Sequence, residues 1–186
     1  MRIISGILKG KSINFLKNST TRPLKDSVKE NIFNIIKHSN LIDVKIEKAN
    51  ILDLYSGIGS FGLECISRGA KKVTFVEHDK NASNILKENL IKLSIINQAK
   101  IINDKIEIFL EKNDNEKFDI FFLDPPFLDK EFINNVNLIK RKKISKNNHI
   151  IIIHRETNSD DNLDNFITKL ITKKYGRSQI IFGVFN

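Results

Sequence analysis

At 186 residues the chain has room for one domain of ordinary size with a sizeable core, and at most a small appendage. It carries no long apolar run and no basic-then-apolar leader, which argues against a membrane span or export and makes the cytosol the expected compartment. A net charge of +9 favours a polyanionic partner, because lysine and arginine gain affinity by neutralising phosphates, although the richness in Ile, Lys and Asn also fits a compositional bias.

Residues 1–16 alternate weakly around Gly6 and Gly10, which predicts a short, basic, twisted hairpin. The polar stretch from Lys17 to Pro23 leads into a helix on which Val28, Ile32, Ile35 and Ile36 recur at helical spacing, with Asp26 near its start. A loop is expected over residues 39–48. From Ala49 onward strands alternate with helices, the signature of βαβ units and a parallel sheet. Strands are expected near 50–55, 72–77, 99–103, 118–123 and 149–154, with helices near 60–68, 80–93, 105–111 and 130–141. After a short helical stretch near 161–167, Leu170 to Tyr175 and Gln179 to Phe185 read as two strands around Gly176-Arg177, so the sheet finishes with an antiparallel hairpin. The fold class is therefore α/β, Rossmann-like, with a mostly parallel seven-stranded sheet. A division into a basic appendage over 1–40 and a main domain over 41–186 follows. The lone cysteine, Cys65, reads as core packing rather than as a metal ligand, and no metal is expected. Lys140-Arg141-Lys142-Lys143 reads as a solvated helix end, where cations suit the macrodipole.

Two motifs carry chemistry. The first is Asp53-Leu54-Tyr55-Ser56-Gly57-Ile58-Gly59-Ser60-Phe61-Gly62, a strand end running into a glycine-rich turn and a helix, where backbone N–H groups can approach a ligand. The spacing is shared with dinucleotide dehydrogenases, in which Glu77 at the end of the next strand would hold a ribose diol. Asp53 discriminates, since a carboxylate before the glycines suits a cationic or amine-bearing ligand and repels a pyrophosphate.

The second motif is Asp124-Pro125-Pro126-Phe127, directly after the apolar run 118–123 and so at the exposed end of a buried strand. An exocyclic base amine is a poor nucleophile because its lone pair is delocalised into the ring. Asp124 and the Pro125 carbonyl can accept its hydrogens. The prolines donate nothing and have narrow φ ranges, which fixes the acceptors, and Phe127 offers a stacking face. By itself, Pro-Pro after a strand also reads as a turn.

Taken in order, Asp53 to Gly62, Glu77, Asn103-Asp104 and Asp124 to Phe127 resemble the motifs of S-adenosylmethionine-dependent methyltransferases. The resemblance implies that Ser56, Gly57 and Gly59 wrap the methionine moiety of S-adenosyl-L-methionine, that Glu77 takes the ribose hydroxyls and that Asp104 accepts from the adenine amine. Met1-Arg2-Ile3-Ile4-Ser5-Gly6, Lys9-Gly10-Lys11, Thr21-Arg22-Pro23 and Val28-Lys29-Glu30-Asn31-Ile32-Phe33-Asn34 narrow it to a resemblance to the bacterial 16S ribosomal RNA guanine-N2 methyltransferases named for guanine 966. Leu24, where that family usually shows threonine, and Ser27, where a basic residue is common, depart from the pattern. This resemblance implies methylation of a guanine in a nearly assembled small ribosomal subunit. On that reading Arg2, Lys9, Lys11 and Arg22 hold RNA phosphates while the base is splayed into the site.

The alternatives are an adenine-N6 DNA methyltransferase, disfavoured because no target-recognition region is visible, and a non-catalytic ribosome-assembly factor, disfavoured by intact Asp53, Glu77 and Asp124. Hydride transfer is weakened by Asp53 and by the lack of a substrate domain. A monomer is expected from the size and from the lack of a spare apolar helix face.

Overall fold

The computed structural model describes residues 1–15, 24–113, 115–159 and 161–186. The strands are β1 (Asn50–Leu54), β2 (Lys72–Val76), β3 (Ala99–Ile102), β4 (Phe118–Leu123), β5 (Ser145–Glu156), β6 (Ile167–Tyr175) and β7 (Ser178–Phe185). The helices are α1 (Asp26–His38), α2 (Ser60–Ser67), α3 (Lys80–Lys92), α4 (Ile106–Lys112) and α5 (Phe132–Lys142). The strands form one seven-stranded sheet in the order β3-β2-β1-β4-β5-β7-β6. Pairings from β3 through β5 are parallel, and β7 runs antiparallel to both β5 and β6. The chain leaves β1 in one direction and returns through β4 in the other. A crevice outside the carboxyl ends of β1 and β4 is the ordinary ligand position in such a sheet.

Strand alternation divides the core in two. Ile51, Phe75, Ile120, Phe122, Ile150 and Ile152 face one side, with apolar residues of α1, α2 and α3. Leu52, Leu54, Val76, Phe121, Leu123, Ile151 and Ile153 face the other, with α4 and α5. Burial on both faces explains why β4 and β5 read as nearly continuous apolar runs. On the first side Phe61 of α2 stacks between Phe33, at 5.2 Å, and Phe122, at 4.0 Å. Ile32 and Phe33 of α1 are fully buried, each stabilising the fold by about 1.5–3 kcal/mol. Cys65 lies in the same core, where burial pushes its thiol well above the ordinary range. None of the described helices is long and apolar enough to cross a membrane.

The N-terminal hairpin is held by one antiparallel bridge, Arg2 to Ser12, with Ile3 and Ile13 turned into the core. It is fastened to α2 by polar contacts. Buried Glu64 accepts from the backbone N–H groups of Ile4 and Ser5 and from Arg68 Nε at 2.8, 2.9 and 2.9 Å. Ile7 donates to the carbonyl of Ser67 at 2.8 Å. Gly6 is required there, since a Cβ would stand 1.9 Å from that carbonyl oxygen and φ is +84°. Farther along, the backbone of Asn14 both donates to and accepts from the side chain of Asn89 on α3.

Two segments differ from expectation. Residues 161–167 are not helical: residues 164–166 make a turn and Ile167 opens β6. Leu163, Phe166 and Ile167 mimic a helical period, and the Leu163 carbonyl does accept from the N–H groups of both later residues. Pairing of Ile167 with Phe185 draws the chain into the sheet instead. Strand β5 begins at Ser145, ahead of the apolar run, with polar Lys146, Asn147 and Asn148 inside it. At the basic end of α5, Lys140 and Lys142 reach the carbonyls of Asn165 and Glu111.

Candidate active site

The two motifs meet at the carboxyl ends of β1 and β4. Asp124 follows Leu123 directly, and its N–H approaches the carbonyl of Leu54 at 3.4 Å. The turn after β1 is tight, with positive φ at Tyr55 (57°), Gly57 (54°) and Gly59 (83°). The three glycines of the motif serve different ends. A Cβ on Gly59 would lie 2.4 Å from Leu86 Cδ1, and one on Gly62 would lie 2.2 Å from Phe75 Cε1, so these two allow α2 to settle on the sheet and α3. At Gly57 nothing lies within 4 Å of the added atom, so the backbone there is open to a ligand.

Around this opening stand the groups suited to hold a cofactor. Glu77, at the end of β2, is buried; one carboxylate oxygen accepts from Gly57 N–H at 2.8 Å and the other from Asp79 N–H at 2.7 Å. The Ser56 hydroxyl is buried and has no hydrogen-bond partner among the described residues. An open backbone, an orphaned hydroxyl and a fixed carboxylate fit S-adenosylmethionine. Asp104 lies farther out. It accepts from its neighbour Lys105 N–H at 2.8 Å, faces Lys112 at 3.6 Å, and borders a cleft of about 310 Å³ with Ile102 and Phe109. Asn103 bonds back to the carbonyls of Glu77 and His78, tying the end of β3 to that of β2.

Asp53 is fully within the sheet's first face, where Oδ2 accepts from Gly62 N–H at 3.0 Å. Burial pushes its carboxyl well above the ordinary carboxylate range. The Gly62 bond opposes the rise, and the charges of Asp124 and Glu77 add to it. Lys29 of α1 is buried on the same side and donates to Ser60 Oγ at 3.2 Å. Desolvation lowers its pKa against the pull of Glu64 and Asp26.

The loop that starts at Asp124 is clamped from both faces of β5. On the first face, His154 Nδ1 contacts Asp124 Oδ1 at 2.7 Å, and its ring meets the Phe127 ring edge-on at 5.5 Å. On the second face, Arg155 is 1% exposed. It donates to the carbonyls of Pro126 and Phe127 at 2.9 and 3.0 Å, pairs with Asp161 at 2.7 Å, and lies 4.2 Å over the Phe132 ring. Pro126 also accepts from Asp129 N–H, which closes the turn. Asp124 is left partly accessible and Phe127 is 37% exposed, with Leu128 beside it at 94%. Thus the carboxylate and the aromatic ring stay partly accessible beside the crevice on a loop held by several hydrogen bonds. Tyr55 ties the glycine turn to the chain beyond the second motif: its hydroxyl accepts from Asn135 of α5 at 3.0 Å and interacts with Asp129, and burial raises its pKa.

Arg2, Lys9 and Lys11 are exposed on the arm. Arg22 and the Thr21-Arg22-Pro23 motif lie outside the described residues. Sequence reasoning missed Tyr55, His154, Arg155 and Asp161. The available signal was two basic residues ending an apolar parallel strand, at the edge where such sheets bind ligands.

A family model described as conserved hypothetical protein 95 matches residues 1–184. Ribosomal RNA small subunit methyltransferase D of Haemophilus influenzae is 37% identical over 158 residues, covering 84% of this chain and 79% of the relative. Among solved structures, one from Escherichia coli, yhhF, provisionally named a methyltransferase, superposes with a TM-score of 0.84 at 27% identity, covering 98% of this chain and 96% of that one. A provisionally named methylase from Haemophilus influenzae gives 0.80 at 33% identity over the same shares.

Proposed function

We propose, from the premise that the chain belongs to the conserved hypothetical protein 95 family of methyltransferases and has their Rossmann-like class I fold, that it methylates the exocyclic N2 amine of a guanine in 16S ribosomal RNA. By family resemblance the target is guanine 966. The observation that carries this reading is the junction of the two motifs, with an accessible Asp124 and Phe127 beside a glycine turn that is open at Gly57.

S-adenosylmethionine is the cofactor, and when bound it supplies an electrophilic methyl on a sulfonium. The chain supplies geometry. Ser56, Gly57, Gly59 and Glu77 hold the cofactor, with Gly62 and Asp53 fixing the turn and Asp104 placed for the adenine side. Asp124 and the Pro125 carbonyl accept the amine's hydrogens, Pro126 holds the turn, and Phe127 stacks on the base. Preorganised acceptors at the point where positive charge develops on nitrogen are the main catalytic contribution. Residues 1–40 serve as the RNA-contacting appendage of a methyltransferase domain over 41–186, with Arg2, Lys9, Lys11 and Arg22 on phosphates. The partner is a nearly assembled small subunit in the cytoplasm, met by a monomer.

The test uses purified protein, labelled S-adenosylmethionine and small subunits from a strain lacking the activity. Nucleoside digestion is expected to give N2-methylguanosine. N6-methyladenosine in duplex DNA, or label in no nucleoside, overturns the reading.

A further inference from the structure

We propose that His154 is a positioning residue for the transfer step, holding one oxygen of Asp124 so that the other meets the amine; the inference rests on the amine-methylation reading above. The need arises in the sequence. A carboxylate at a strand end is ordinarily oriented by N–H groups one and two residues on, but here both positions are proline and offer none. Asp124 therefore has no donor at either of those two positions to fix its side chain. The donor comes instead from the adjacent strand, where His154 Nδ1 lies 2.7 Å from Oδ1.

The tautomer follows from the partners. An ionised carboxylate only accepts, so the contact requires the proton on Nδ1. Nε2 is buried without a hydrogen-bond partner among the described residues, a position that suits a bare lone pair better than an unsatisfied N–H. The ring is itself held edge-on by Phe127. Across this face β7 opposes His154 with uncharged Ile180, while β1 contributes Asp53 and α1 contributes Lys29. None of these three is the partner of the ring, whose Nδ1 meets Asp124 at the end of β4.

In the transfer the amine's electron pair forms the bond to the methyl carbon, the carbon–sulfur pair remains on sulfur, and the nitrogen sheds one proton to the Asp124 oxygen that His154 does not hold. The proton passes to water as product leaves. His154 thus fixes the acceptor's direction and shares its change of charge through the Nδ1–H bond.

The test compares wild type with His154→Phe, His154→Asn and Asp124→Asn, each checked for folding by thermal melting. Imidazole nitrogen NMR, assigned through His154→Asn, is expected to show the Nδ1–H tautomer and an Nδ1–H resonance that shifts in Asp124→Asn. On small subunits, His154→Phe is expected to lower kcat by about a hundredfold while KM and cofactor affinity by calorimetry stay within about twofold. His154→Asn, which still donates to Asp124, recovers about tenfold of that loss. Wild-type kcat in His154→Phe, or an Nδ1–H resonance indifferent to Asp124→Asn, overturns the inference. Should wild type methylate a different amine, the guanine reading falls, and the same kinetic comparison on that substrate still judges His154.

Discussion

Arg155 Nη1 donates to the carbonyl of Pro126 at 2.9 Å, so a buried guanidinium on β5 holds the turn that follows Asp124. The same group donates to Phe127 and pairs with Asp161, and its fork geometry serves all three acceptors at once. Removing it leaves Asp161 without its paired guanidinium and the two carbonyls without this donor. Arg155→Ala is expected to lower the free energy of unfolding by about 3–5 kcal/mol, read from urea denaturation. Arg155→Lys keeps the charge but cannot span the acceptors, so it should retain most of the stability while losing turnover. Equal turnover in Arg155→Lys and wild type would show that the loop does not depend on the fork.

Asp124→Ala separates binding from chemistry. The groups proposed to hold the cofactor, Gly57 and Glu77, lie on the turn after β1 and at the end of β2, and neither bonds to the Asp124 side chain. Calorimetry is therefore expected to give cofactor affinity within about threefold of wild type, while methylation falls by at least about a hundredfold. Retained turnover would remove that carboxylate from the mechanism.

The strands and helices around the crevice were legible because each carries a strong local period: β4 reads Phe118 to Leu123 as an apolar run, and α1 shows Val28, Ile32 and Ile36 on one stripe. The turn at residues 164–166 was not legible, since Leu163, Phe166 and Ile167 give the same spacing whether they open a helix or end a turn. Only the pairing of Ile167 with Phe185, eighteen residues on, decides between the two. The site divides in the same way. Asp124-Pro125-Pro126-Phe127 and the glycine turn are contiguous and announce themselves. His154 and Arg155 act on residues just beyond the neighbouring strand, partners fixed by the register of β4 against β5, which a single sequence does not print, and Asp161 reaches Arg155 only through the turn after β5.

The glycines offer a sharper division of labour. Gly62→Ala places a methyl 2.2 Å from the Phe75 ring and 2.8 Å from Val73 Cγ1, so it should cost about 1–3 kcal/mol by overpacking. Gly57→Ala meets nothing within 4 Å and costs only the strain of a left-handed residue, about 1–2 kcal/mol. Its methyl, however, enters the space assigned to the cofactor. Melting curves with and without S-adenosylmethionine read both effects: Gly62→Ala should melt lower yet still be stabilised by ligand, whereas Gly57→Ala should lose most of the ligand-dependent rise. A full ligand response in Gly57→Ala would place the cofactor elsewhere.

Asp53 makes stability depend on pH in a direction opposite to that of most carboxylates. Burial raises its folded-state pKa well above the ordinary 3.8, and the charges of Asp124 and Glu77 add to the rise despite the Gly62 N–H bond. A group whose pKa is raised on folding binds its proton more tightly in the folded state. Its contribution is fully present below the unfolded value and is lost as pH rises through the folded value. The ionised form is then a buried charge with one backbone donor. Asp53→Asn keeps an oxygen to accept from Gly62 N–H and never ionises. Its melting temperature relative to wild type should therefore climb as pH is raised from about 4 toward 8 in the absence of ligand. A constant difference across that range would mean that Asp53 does not take up a proton on folding.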